Sequence, residues 1–122
     1  MKSVAIVGAS NDRRKYGNKA VRAYRHQGWT VYPVNPNEQT IEGVPVYRSV
    51  RDIPGTVSRV SMYLPPAVGM TVLREIAAIK PAELFLNPGS ENPELLQRAT
   101  SLGMHPVVQC SIREIGENPA NY

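Results

Sequence analysis

The residues with most to offer chemically lie in one early stretch, VAIVGASNDRRKYG, from Val4 to Gly17. Gly8 lets the backbone turn sharply and approach a bound group with no Cβ in the way. Ala9 and Ser10 are small, so the N–H groups of the loop stay open. The helix expected after the loop aims its unpaired N-terminal donors and partial positive charge at the same point, which suits phosphate. Arg13, Arg14 and Lys15 add full positive charges within a few residues. The plainer reading is architecture alone, with the cations solvated at the surface. The loop is not the GxGxxG fingerprint, since Ser10 and Arg13 stand where its second and third glycines would be, and it is not a P-loop.

Acid–base chemistry finds less support. Catalysis needs a nucleophile, acid or base held against a partner. His26 falls at the end of the first expected helix, beside Gln27 and Gly28, and reads as a capping or surface residue. His105, between Met104 and Pro106, reads as a turn residue. No catalytic residue is assigned. Nor is a metal site, because no spaced cluster of Cys, His and carboxylates exists. Cys110 is the single cysteine, so no internal disulfide can form, as expected of a reducing compartment. A free cysteine is most often a small buried hydrophobe.

Those residues must be positioned by a chain of 122 residues, the length of one domain with one core. Hydrophobic residues at 42% and charged residues at 20% are ordinary for a globular protein. A net charge of +4 suits an anionic small molecule at least as well as a nucleic acid. No basic block with interleaved aromatics argues for nucleic acid, and no apolar run is long enough for a membrane span. The apolar part of MKSVAIVGAS is too short for a signal peptide, so a cytoplasmic protein is expected.

Val4 to Val7 form a short β-branched apolar run, as a strand covered on both faces requires. Asn18 to Gln27 carry Ala20, Val21, Ala23 and Tyr24 at helical spacing, with Gly28 as the stop. Trp29 to Val34 read as a second strand, ended by Pro33-Val34-Asn35-Pro36. Asn37 to Tyr47 read as a surface excursion with a turn at Glu42-Gly43, and Ser49 to Ile53 as one helical turn introduced by Ser49. Arg59 to Leu64 form a third strand, Ala67 to Lys80 an amphipathic helix, and Glu83 to Leu86 a fourth strand. Asn92 and Pro93 open the next helix, and Pro106 to Val108 form a short fifth strand. Residues 116–122 (GENPANY) have nothing to bury and are expected to fray.

Strands alternating with helices predict an α/β fold, a Rossmann-like doubly wound parallel sheet of about five strands in a single domain. With the common order 3-2-1-4-5, ligands bind at the carboxyl ends where the chain reverses, between the first and fourth strands. The loops Gly8 to Gly17, Val34 to Asn37, Leu64 to Ala67 and Asn87 to Ser90 would line that crevice. An NAD site ends its second strand in Asp or Glu to hold the ribose. Here Val34, Asn35 and Pro36 stand instead, with no carboxylate to repel a ribose phosphate. The site therefore leans toward NADP or coenzyme A (CoA), with Val34 and Pro36 as an adenine wall and Arg14 or Lys15 as counter-charges. Simple strand termination explains the two prolines equally well.

VAIVGASNDRRKYG, YPVNPN, IEGVPVYRSVRDIPG, YLPP, LNPGSENPELL and Cys110 together resemble the stand-alone CoA-binding domain proteins, whose fold is similar to the N-terminal domain of the succinyl-CoA synthetase α subunit. The resemblance spans nearly the whole chain and is most specific in the pairing of VGAS with PVNP. It implies that Gly8, Ala9, Ser10 and Asn11 hold a pyrophosphate and that Arg14 and Lys15 pair with phosphate. It further implies that Val34, Asn35 and Pro36 line the adenosine end and that Pro65 and Pro66 flank the site. The chain departs from the family at Ser58, at Phe85 to Gly89 and at Val108-Gln109. The function implied is binding of CoA or an acyl-CoA by a non-catalytic carrier, sensor or accessory factor. An NADP-dependent oxidoreductase domain is one alternative. Another is a CoA-ligase subunit that relies on a separate partner chain for its catalytic histidine. Cys110 gains a second reading, a mixed disulfide with the CoA thiol under oxidation.

Overall fold

A computed structural model describes residues 2–122. Five parallel strands form its central sheet: β1 (Ser3–Val7), β2 (Thr30–Val34), β5 (Arg59–Met62), β6 (Glu83–Leu86) and β7 (Pro106–Val108). Their spatial order is β2-β1-β5-β6-β7. β3 (Thr40–Ile41) and β4 (Val44–Pro45) make a separate antiparallel hairpin, turned at Glu42 and Gly43, which have φ of 51° and 76°. The helices are α1 (Tyr16–His26), α2 (Pro66–Ala78), α3 (Pro93–Ser101) and the single-turn α4 (Ser111–Glu114).

The strand order differs from the expected 3-2-1-4-5. The third long strand, β5, pairs with β1 on the side away from β2. Pro33 supplies the reason. It lies mid-strand in β2, paired with Ile6, and has no N–H to donate. A strand carrying such a residue belongs at a sheet edge. The same holds for Pro106, first residue of the opposite edge strand β7. The chain therefore reverses direction between β1 and β5, and the crevice at the strands' carboxyl ends opens there.

Side chains alternate across the sheet and divide the core in two. Val4 and Ile6 pack on one face with Ala20, Val21 and Tyr24 of α1 and Ile112 of α4. Ala5 and Val7 pack on the other with Leu73 and Ile76 of α2 and Leu95 and Ala99 of α3. This split follows from right-handed crossovers: β1 to β2 runs one way along the sheet, while β5 to β6 to β7 runs the other. Sequence signals for the helix starts hold locally. The Asn92 side chain accepts the Leu95 N–H at 2.8 Å with Pro93 behind it, and Ser49 caps the 3-10 turn Val50–Asp52.

Residues 116–122 lie packed against α1. Pro119 is buried, and the Tyr122 carbonyl accepts from Arg22 Nη1 at 2.9 Å. Tyr122 Oη donates to Glu117 at 2.8 Å, and Gln27 bonds the same carboxylate. Tyr122 also packs beside the α1 core, so the segment does have apolar surface to bury.

Candidate functional site

The first loop is shaped by two close approaches. Gly8 has φ of 94°, and a Cβ there would sit 3.1 Å from Leu64 Cδ2 and from the Tyr63 carbonyl carbon. A Cβ on Gly17 would lie 2.3 Å from the Gly8 carbonyl oxygen. Only glycine at both positions lets the N-terminus of α1 press directly on the end of β1.

Two buried or half-buried amides then orient the loop. Asn35 Nδ2 donates to the Ala9 carbonyl at 2.8 Å, while its Oδ1 accepts from the Asn37 N–H at 2.7 Å. Asn18, fully buried, donates to the Ser10 carbonyl at 2.8 Å and accepts from Arg22 Nε at 2.7 Å. A trans peptide sets its N–H opposite its C=O, so pinning the Ala9 and Ser10 carbonyls also fixes the N–H groups of Ser10 and Asn11. Those two N–H groups have no partner among the described residues.

A cleft of about 1210 Å³ opens beside this loop at the carboxyl ends of the strands. All four expected loops contribute to it, and α1 and α2 both start at its wall, through Tyr16 and Gly17 and through Pro65 and Val68. Neither helix has a side-chain cap, in contrast to α3. Their first N–H groups thus keep the partial positive charge that a cap would offset. Lys15, Arg48 and Arg113 line the cleft, and none has an ion pair or side-chain hydrogen bond among the described residues. Glu75 is the one acidic residue in the lining, held by Ser49 Oγ at 3.2 Å.

Gly8, Ala9, Ser10, Lys15, Val34, Asn35, Pro36 and Pro65 are brought together here. Three other expected residues are not. Asn11 donates from Nδ2 to Glu38 and to the Thr40 carbonyl, tying the loop to the hairpin. Arg14, fully exposed, turns onto Asp12, with Nε at 3.1 Å from Oδ1 and Nη2 at 3.1 Å from Oδ2. The guanidinium in turn holds the Asp12 carboxyl below its ordinary range. Pro66 is the first residue of α2 and lies outside the lining.

Other lining residues escaped sequence reasoning. Arg113 sits on α4, a helix too short to show periodicity, and Arg48 follows a two-residue strand. Cys110 lines the cleft, half-buried, just before α4. A polar network beneath fixes that turn. Asn87 donates to Ser61 Oγ and the Met62 carbonyl, both at 2.9 Å, and accepts the Ser111 N–H at 2.8 Å. Ser111 Oγ lies 2.6 Å from Ser61 Oγ and 3.3 Å from Tyr63 Oη. Burial pushes the Tyr63 phenol well above its ordinary value, so it remains protonated.

Further down, Arg59 binds Glu83 at 3.0 Å and Glu114 at 2.5 Å, with its guanidinium near the rings of Trp29 and Phe85. Burial works against that charge, but the hydrogen bonds to Glu83, Glu114 and Tyr24 outweigh it and raise the pKa. Among the described residues, no group of three or more His, Cys, Asp and Glu could hold a metal ion, and no helix is long and apolar enough to cross a membrane. His26 and His105 are both exposed and lie outside the cleft.

The α subunit of ADP-forming acetate–CoA ligase II from Pyrococcus furiosus is 40% identical over 65 residues, which cover 52% of this chain and 14% of the ligase subunit. ADP-forming acetate–CoA ligase II from Archaeoglobus fulgidus is 35% identical over 97 residues, 76% of this chain. This chain again spans only 14% of that ligase. Among solved structures, a conserved hypothetical protein from Pyrococcus furiosus superposes with a TM-score of 0.87 at 35% identity, covering 93% of this chain and 99% of the other. The dinucleotide forming acetyl-coenzyme A synthetase 1 of Ca. Korarchaeum cryptofilum superposes with a TM-score of 0.76 at 27% identity, over 89% of this chain and 26% of the synthetase. Residues 2–115 match the CoA binding domain family, and the chain belongs to it.

Proposed function

We propose that this domain binds CoA or an acyl-CoA in the cleft and serves as a carrier, sensor or accessory factor without chemistry of its own. The observation that carries this reading is the concentration of unpaired positive groups on one wall: the free N–H group of Ser10, two uncapped helix N-termini, and Lys15. A diphosphate is the complement of that wall. Val34 and Pro36, with no carboxylate at the end of β2, then offer a dry shelf to a purine. Gly8, Ala9, Ser10 and Lys15 hold the diphosphate, while Val34, Asn35 and Pro36 bound the adenosine.

Calorimetric titration with CoA, NADP and NAD tests this. Saturable binding of CoA, with weaker or no binding of the two dinucleotides, is expected. Binding of NADP in preference to CoA would overturn the reading. A second reading, a CoA-ligase subunit completed by a partner chain, draws on the similarity to segments of much longer acetate–CoA ligases. It requires a stable complex with a chain bearing the catalytic residues.

A further inference from the structure

The far end of the shelf holds a cation that the diphosphate does not need. Tyr47 bridges the outer side of β2: its N–H donates to the Pro33 carbonyl at 2.9 Å, and its carbonyl accepts the Asn35 N–H at 3.0 Å. Its ring packs edge-on against Tyr32 at 5.8 Å. On the other side, Ser49 accepts the Arg51 N–H at 3.1 Å and bonds Glu75 of α2. Arg48 is therefore bracketed by two anchored residues and held abreast of Asn35, Pro36 and Asn37, with which it shares the cleft wall. Its own guanidinium is exposed and has no partner among the described residues. Glu75 is tied to Ser49 and forms no ion pair with Arg48.

A guanidinium so placed matches a phosphate monoester, which it grips with two parallel N–H bonds. Lys15 stands at the other loop, where the helix dipole and the loop amides already serve the diphosphate. We propose that Arg48 is the specificity-determining residue that reads a phosphate group on the ligand's ribose, and so separates CoA from the same molecule lacking its ribose phosphate. This rests on the CoA reading above and names the residue behind its selectivity.

The test is calorimetry of the full chain and of Arg48→Gln with CoA and with 3′-dephospho-CoA. Wild type should prefer CoA by roughly 10- to 100-fold, the scale of charge-assisted hydrogen bonds. Arg48→Gln should bind both ligands alike, at the wild-type affinity for dephospho-CoA, and that unchanged affinity also shows the variant folded. A variant that keeps the preference, or loses affinity for both ligands equally, overturns the assignment, as does a wild type without preference. If wild type binds neither ligand, the CoA reading itself fails, a result distinct from these.

Discussion

Replacing Gly17 with alanine probes the contact on which the phosphate loop depends. Gly17 lies in the first turn of α1 and its φ is not in the left-handed region, so the backbone alone would accept alanine. Helix propensity would even favour the change, by up to about 1 kcal/mol. The obstacle is the neighbour. The new Cβ would lie 2.3 Å from the Gly8 carbonyl oxygen, about 1 Å inside ordinary contact, and that oxygen is backbone and cannot swing aside. Overpacking of this kind costs about 1–3 kcal/mol. A net destabilisation of about 1–2 kcal/mol, or a fall of roughly 4–8 °C in Tm, is expected. As α1 withdraws from β1, its N–H groups leave the diphosphate, and CoA affinity should drop roughly tenfold or more. Gly28→Ala is the matched control. Its φ of 85° makes alanine cost about 1–2 kcal/mol, but no atom lies within 4 Å and the site is remote. Thermal melts and calorimetry should therefore show two similarly weakened proteins, of which only Gly17→Ala binds poorly. A Gly17→Ala protein as stable as wild type and equally able to bind would refute the reasoning.

Asn35→Asp replaces the donor to the Ala9 carbonyl with a carboxylate, and urea unfolding should show a loss of about 1–3 kcal/mol together with weaker CoA binding; unchanged stability and affinity would contradict the bridging role. Lys15→Ala should weaken CoA binding severalfold in a salt-dependent way, whereas Arg14→Ala, whose guanidinium is turned onto Asp12, should change it by less than about twofold. Equal losses from both variants would show that Arg14 swings into the site. Hydrogen bonds from Gln27 and Tyr122 hold the Glu117 carboxyl below its ordinary range. The fixation of the C-terminal segment is thus complete above the unfolded carboxylate pKa of about 4.3 and is lost as pH falls through the lower folded value. Amide signals of Asn121 and Tyr122 should move toward random-coil positions only in strong acid, and a transition near neutral pH would count against it.

Much of this was legible in the residues, and the gaps have physical causes. The apolar run Val4 to Val7, the Asn92-Pro93 cap and the Ser49 turn each carry a local signal that tertiary packing had no reason to override. Neighbour relations between strands carry none in periodicity, so the position of β5 beside β1 is not legible there, although Pro33 within β2 points to an edge. In the sequence Gly17 marks only the end of a loop; its role in helix–strand contact depends on an atom nine residues earlier. Arg48 reaches the cleft from a bend after a two-residue strand and Arg113 from a helix of four residues, both too short for any pattern. The segment 116–122 offers no apolar run, yet Tyr122 packs in the α1 cluster and Pro119 is buried, contacts that only the folded chain creates.

The most direct test of CoA recognition by this cleft is an amide shift map of the isotope-labelled protein titrated with CoA. The largest changes are expected at Gly8 to Gly17 and Val34 to Asn37, with smaller ones at Arg48 and Arg113. Changes centred instead on the groove at Lys80 to His105, at the opposite end of the sheet, or no changes at saturating CoA, would contradict it.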